Sequence, residues 1–491
     1  MQGKTLALLA GGFFLAAFAA QTQAEALKPD PAWQQGTLDN GLRWQMLSTP
    51  HRPNDRIEVR LVVNTGSLEE SAQQAGYSRF IPHFALTQNP DTDTVNLWQQ
   101  ATDPGYPQSP ATVTYNVTQY ALSLPNNRND LLKEALGWLA NTAGKLDISQ
   151  KNVDSALAQR NAITTWPDNP RDGWWRYRLK GSTLLGHDPS ADVQQPVEAE
   201  SLKNWYQKWY TPDAMTLLVV GNVDARSMIE QIEKQFGELD GKRQMPAPVP
   251  TVSPLRREPV TIMTRAVQED RLTIMWDQAW QPIRNANTLL QYWRADLARE
   301  ALFLHVQQSL AKNNIRDLQL SFDCHVLFQR AQCSINLDTP NGKLNNHLAL
   351  VAHNLRALRE EGLPKAELDT LIAQKKQELE TLFATYARTN TGILMGQRLR
   401  ALQNHVVDIA PEQYQQLRQR FLQGATPDAI NSDLHQLLAQ DMALILLQPQ
   451  GEPEFAMGEL QNTWNKIMAP AQSPVADKPE TRGEASGPVS H

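Results

Sequence analysis

Histidine and cysteine are the side chains best suited to metal, proton and redox chemistry. This chain of 491 residues has 10 of the first and 2 of the second. His83 closes the run Gly76-Tyr77-Ser78-Arg79-Phe80-Ile81-Pro82-His83, within a stretch whose apolar residues recur at helical spacing. The other histidines are scattered, and His347 and His353 stand six apart, which does not put both on one ligand face. Cys324 and Cys333 lie in two strand-like runs that can pair as a hairpin around Phe328-Gln329, so that the two cysteines face each other. A disulfide fits an oxidising compartment; two reduced, half-buried cysteines fit the sequence nearly as well. The pair alone is no structural zinc site, which needs four ligands. There is no G-x-S-x-G elbow, Walker loop, G-x-G-x-x-G fingerprint or H-E-x-x-H. The cluster Trp174-Trp175-Arg176-Tyr177-Arg178 suits a binding platform, or more simply a helix edge packed beneath a cleft between domains.

The elements that would position these groups follow from pattern. Residues 36–47 read as strand with an Asn40-Gly41 turn, residues 57–64 as a β-branched strand, and residues 112–124 as a further strand. Helical spacing marks 76–86, 129–146, 149–166, 199–209 and 225–236, with a buried strand at 215–220. Residues 241–259 hold five prolines, a composition expected to link rather than pack. Beyond it come strands at 260–263 and 272–276, the hairpin at 318–337, helices at 286–310, 345–361, 364–386 and 411–422, and a last buried strand at 442–448. The order echoes the first half. The expected fold is α+β, with two homologous halves, each a mostly antiparallel sheet with helices packed on one face.

Length and composition agree with two domains in place of one core. Apolar residues make up 41% and charged residues 20%, an ordinary globular balance. A net charge of −6 offers no footprint for a phosphate backbone, so nucleic acid is not an expected partner. Lys4 followed by the apolar stretch 6–20 and small residues at Thr22, Ala24 and Ala26 reads as a cleaved signal peptide over 1–24, the alternative being an uncleaved anchor. No later segment is long and apolar enough to span a bilayer. The expected division is 1–24 leader, 25–240 first domain, 241–259 linker, 260–468 second domain and 469–491 disordered tail.

Several motifs, taken together, resemble the insulinase/pitrilysin family of zinc peptidases, the inverzincins. The strand and turn Val59-Arg60-Leu61-Val62-Val63-Asn64-Thr65-Gly66-Ser67 lead through Glu69-Glu70-Ser71 to Gly76 and the run ending in His83-Phe84. Gly186-His187-Asp188-Pro189, Tyr210-Thr211-Pro212-Asp213, Val220-Gly221-Asn222, Phe236-Gly237-Glu238-Leu239 and Glu361-Gly362-Leu363-Pro364 extend the match over nearly all the chain. The resemblance implies that the two halves form a clamp, and the leader over 1–24 implies export to the periplasm.

Active members of that family carry H-x-x-E-H on a helix: the two histidines and a distant glutamate hold zinc, and the motif glutamate is the general base. Mapped on this chain, the first histidine position is Arg79, the base position is Pro82, and the second histidine survives as His83. Arginine stays protonated and cannot ligate zinc, and proline offers no proton acceptor. The third ligand position maps to Gln159 on the helix expected over 149–166, with Asp154 the other nearby candidate. The family's substrate-gripping Arg and Tyr map to His305 and Leu318, and its substrate-side Asn-Ala-x-Thr to Pro110-Ala111-Thr112-Val113.

The expectation is a catalytically inactive, exported homologue without a cofactor, where active relatives use zinc. It would bind peptide segments or a protein partner, as a homodimer or paired with an active relative. Two alternatives stand beside it: a metallopeptidase with a rebuilt metal site and residual activity, and a structural envelope protein.

Overall fold

The computed structural model describes residues 25–88 and 109–470. The leader expected at 1–24 and almost all of the tail expected at 469–491 lie outside the described residues. The described strands are β1 (Trp33–Thr37), β2 (Arg43–Ser48), β3 (Ile57–Val63), β4 (Ala111–Val113), β5 (Thr118–Leu124), β6 (Thr164–Thr165) and β7 (Met215–Gly221) in the first half. The second half holds β8 (Val260–Thr264), β9 (Arg271–Ala279), β10 (Gln319–Leu327), β11 (Arg330–Asp338) and β12 (Ala443–Pro449).

Two sheets result, ordered β1-β2-β7-β3-β5-β4-β6 and β10-β11-β9-β12-β8. Read from β2, the first runs β2-β7-β3-β5-β4; read from β8, the second runs β8-β12-β9-β11-β10. The two orders are the same permutation, with β2 and β7 parallel in one and β8 and β12 parallel in the other. The remaining shared neighbours are antiparallel. The duplicated α+β frame expected from the order of elements is therefore present in the topology.

Alternation along β3 shows how each sheet builds its core. Ile57, Val59, Leu61 and Val63 face the helices Tyr77–Thr87, Asn129–Gly144, Ala199–Trp209 and Ala225–Phe236 in one large apolar cluster. The opposite face carries Leu47, Leu218 and Val220, and a helix of the second half, Thr391–Gln403, covers it with Leu394 and Met395. Burying each of those side chains stabilises the contact by roughly 1.5–3 kcal/mol. The exchange is reciprocal. The helix Gly173–Arg178 of the first half packs Trp174 and Tyr177 with Ile262, Met275, Ala443 and Ile445 of the second sheet. The aromatic and basic cluster is thus a packed element between the halves.

Asp172 caps that helix, accepting the Trp174 N–H at 3.2 Å, and also accepts the Arg265 N–H of the second half at 2.9 Å. Arg178 is 3% exposed, donates to Ser253 O at 2.8 Å and lies 3.5 Å from the Asp277 carboxylate on β9. Chain residues 237–259 form no helix or strand, as the prolines require. The segment does pack, contrary to expectation. Arg243 donates to Asn64 O at 2.7 Å, Thr65 Oγ1 at 2.5 Å and Trp209 O at 2.6 Å, and Val252 is buried. Proline excludes ladder hydrogen bonds but leaves side chains free to anchor.

The β10–β11 hairpin turns on Phe328 and Gln329, both with positive φ (41° and 65°), as a two-residue turn matched to strand twist requires. That register sets Cys324 opposite Cys333 with Cα atoms 4.2 Å apart, and the two are joined as a disulfide. Among the described residues no helix is long and apolar enough to cross a membrane.

Candidate functional site

The helix Tyr77–Thr87 follows Gly76, whose φ of 90° is left-handed; a Cβ there would lie 2.6 Å from Val193 N. Glu70 holds the helix start, accepting the Ser78 N–H at 2.7 Å and the Gly76 N–H at 3.1 Å. An anion at a helix N-terminus is favourable, yet burial dominates and pushes the Glu70 carboxyl up to about 7. Glu69, whose carboxylate accepts the Gly66 N–H at 2.9 Å, is pushed up to about 7 by the same cause. Neither acid was singled out from sequence, although their place just before Gly76 was legible. Phe80, Ile81, Phe84 and Ala85 bury the helix in the first core.

Arg79, which the resemblance sets at the first ligand position, is held by structural contacts. Its guanidinium donates to Ile163 O at 3.3 Å and Ser190 O at 3.3 Å and pairs with Asp192 at 2.8 Å. Pro82 is buried inside the helix and removes the N–H that would bond to Ser78 O one turn earlier. His83 is 4% exposed, and its Nε2 lies 2.9 Å from Ala156 O. A carbonyl only accepts, so Nε2 carries the proton and donates. Burial holds the imidazole below its usual pKa, and nearby Arg79 adds to the effect.

Ala156 belongs to the helix Gln150–Leu157, which ends well short of the expected residue 166. The apolar face that supports it, Val153 and Ala156, gives way to Ala158, Gln159 and Arg160, all exposed. Asn161 Oδ1 then accepts the Ile163 N–H at 2.9 Å, a local turn that competes with helix. Gln159 therefore sits in the bend after the helix with its side chain exposed, and Asp154 accepts from Gln150 at 2.9 Å on an exposed face. The backbone carbonyl of Ala156, with neither acid nor amide side chain, meets His83.

These residues do not fit zinc. Of the three ligand positions the resemblance implies, Arg79 is a permanent cation, Gln159 is an exposed neutral amide, and the imidazole of His83 donates its Nε2 proton to backbone. Among the described residues no group of three or more His, Cys, Asp or Glu side chains could hold a metal ion. In the second half, His305 Nδ1 lies 2.7 Å from Glu367 Oε2, while Leu318 is buried in the second core. Their surroundings are a histidine–carboxylate contact and an apolar cluster. In the segment at 110–113, Ala111–Val113 form β4, whose outer edge is paired with β6.

Two family models match the chain: Insulinase (Peptidase family M16) over residues 45–172, and Peptidase M16 inactive domain over residues 196–375. The Escherichia coli protein YhjJ is 63% identical over 474 residues, covering 96% of this chain and 95% of that protein. A solved Yersinia pestis protein, described as a predicted insulinase family protease, is 54% identical with a TM-score of 0.89, over 94% of this chain and 100% of that one. The first half of the periplasmic protease PqqL from Escherichia coli shares the fold at 16% identity, with a TM-score of 0.77 over 91% of this chain and 99% of that one.

Proposed function

Since the chain belongs to the insulinase family of M16 peptidases, we propose that it is an exported, periplasmic pseudo-peptidase that holds peptide segments or a protein partner without cutting them. The observation that carries this reading is the state of the motif helix: Arg79 is bound to Asp192 and His83 to the Ala156 carbonyl. Pro82 stands where a base is needed, and a proline has no proton to exchange. The two-half frame persists around a site without ligands, so binding is the function that the frame can still serve. A disulfide between Cys324 and Cys333 and the apolar stretch at 6–20 support export.

The partner suited to this frame is a second unit of the same kind, either another copy of the chain or an active relative. PqqL supports that choice, because this chain's match spans 46% of the length of the Escherichia coli protein. Metal content by mass spectrometry, on protein purified from the periplasm without chelators, tests the reading alongside a quenched-fluorescent peptide library. Less than about 0.1 zinc per chain with no cleavage is the expected result. Near one zinc per chain with chelator-sensitive cleavage would overturn it.

A further inference from the structure

The chain carries a net charge of −6, yet cations gather where the helix Gly173–Arg178 meets the segment that joins the halves. Two neighbouring cavities lie there, one of about 110 Å³ and one of about 560 Å³, with Pro254, Leu255 and Arg256 in the walls of both. The smaller is also lined by Tyr177, Arg178, Lys180 and Ser253, and the larger by Arg257 and Arg330. Against these five cations stand Asp277 and Asp441 in the same walls and Glu258 close to Tyr177. A surplus of two positive charges remains.

Pairing within the group shows which cations are left over. The Asp277 side chain, 7% exposed, serves three partners: the Leu255 N–H at 3.1 Å, Arg330 at 2.7 Å and Arg178 at 3.5 Å. Two guanidiniums thus share one carboxylate, while Asp441 takes Arg257 at 2.6 Å. Lys180 and Arg256, both exposed, have no hydrogen-bond or ion-pair partner among the described residues. The Tyr177 hydroxyl is buried and likewise bonds no described group. Burial keeps its proton on, although nearby Arg256 works against that, so it is a donor without an acceptor. The carbonyls that end the helix are already taken, Trp175 O by the Leu179 N–H at 2.9 Å and Tyr177 O by the Lys180 N–H at 3.2 Å. The side-chain cations, and not the end of a six-residue helix, therefore set the sign of the potential in the cavity.

We propose that the smaller cavity is a site for a phosphate group, held by Lys180, Arg256 and the Tyr177 hydroxyl. A phosphate near neutral pH carries about −1.5 to −2 charge, which matches the surplus, and its oxygens accept from all three donors. A carboxylate, with a single charge, would leave one of the two free cations unmatched. The phosphate belongs either to the free ion or to a small monoester whose body extends into the larger cavity. This goes beyond the peptide-binding reading and does not depend on it.

Calorimetric titration of the full mature chain with inorganic phosphate, phenyl phosphate and acetate, all at one ionic strength, tests the site. Phosphate is expected to saturate one site per chain, with acetate roughly ten-fold weaker. Arg256→Gln and Lys180→Gln should each weaken phosphate binding roughly ten-fold, and Tyr177→Phe roughly five-fold. Arg226→Gln, on an exposed helix face where Arg226 pairs with Glu230, should leave it unchanged. Lys180 and Arg256 are exposed, so their variants keep the fold, which circular dichroism checks. Phenyl phosphate binding several-fold more tightly than phosphate assigns the site to a monoester, and equal affinity assigns it to the free ion. No saturable phosphate binding, equal binding by Arg256→Gln and Arg226→Gln, or acetate as tight as phosphate overturns the site.

Discussion

The carboxylate of Glu70 accepts the backbone N–H of Ser78 at 2.7 Å, so the helix carrying Arg79, Pro82 and His83 begins on a buried acid. Burial raises the Glu70 carboxyl from 4.5 to about 7. An acid raised on folding is protonated in the native chain at pH values where the unfolded chain has released its proton. Its contribution is therefore full below pH 4.5 and is lost as pH rises toward about 7, by at most about 1.4 kcal/mol per pH unit. Glu70→Gln removes that slope. Urea unfolding at pH 5 and pH 8 should show the variant gaining about 2 kcal/mol on the wild type between the two; no change in the difference would refute the assignment.

Pro82 interrupts the same helix, at a cost of about 3 kcal/mol relative to alanine in a helix interior. Its buried ring offsets part of this through roughly 1–2 kcal/mol of apolar contact. Pro82→Ala is therefore expected to stabilise the protein by about 1 kcal/mol, which for a chain of this size raises Tm by a few degrees. Calorimetry decides it, and a lower Tm would mean that the ring's packing outweighs the missing hydrogen bond.

Gly173 leaves no room for a side chain, because a Cβ there would sit 2.0 Å from the carbonyl oxygen of Met263 across the junction of the halves. That contact is backbone and cannot swing away. Gly173→Ala should cost about 3 kcal/mol or more. The loss is expected at the junction itself, so denaturant unfolding should split into two transitions. A single transition at the wild-type midpoint would show that the two segments can move apart freely.

Cys324 and Cys333 close a short loop, the residues being nine apart in sequence. For such a loop the chain-entropy account gives about 2–3 kcal/mol of stabilisation. The Cys324→Ser, Cys333→Ser double variant should lose that amount in urea, and reducing the wild type should reproduce it. Loss from the double variant without a matching loss on reduction would assign the effect to side-chain packing.

Much of the frame was legible because its signals are local. The β-branched run of β3, the helices Ala199–Trp209 and Ala225–Phe236, and the Phe328-Gln329 turn each follow from periodicity or turn geometry within a few residues. The helix Gln150–Leu157 was overextended because polar Gln159, Arg160 and Asn161 are tolerated by helical spacing, while only tertiary packing on Val153 and Ala156 decides where it stops. Thr391–Gln403 was missed for a related reason. Its Leu394 and Met395 face a sheet from the other half, and a partner that far along the chain leaves no local trace. At the site, Arg79 and Pro82 stand out in the sequence against the motif it resembles, but the uses of Arg79 and His83 are not legible there, since Ile163, Asp192 and Ala156 meet them only after folding.

The reciprocal exchange of helices sets an order on assembly. As the chain emerges during synthesis, the first sheet is complete at Gly221, while the helix that covers Leu47, Leu218 and Val220 begins only at Thr391. Until then a sticky apolar face stands open, a hazard for aggregation that a holding chaperone would relieve. The same gap permits a trade between molecules: the helix Thr391–Gln403 of one copy can cover the sheet of another, giving a swapped dimer with every contact of the monomer preserved.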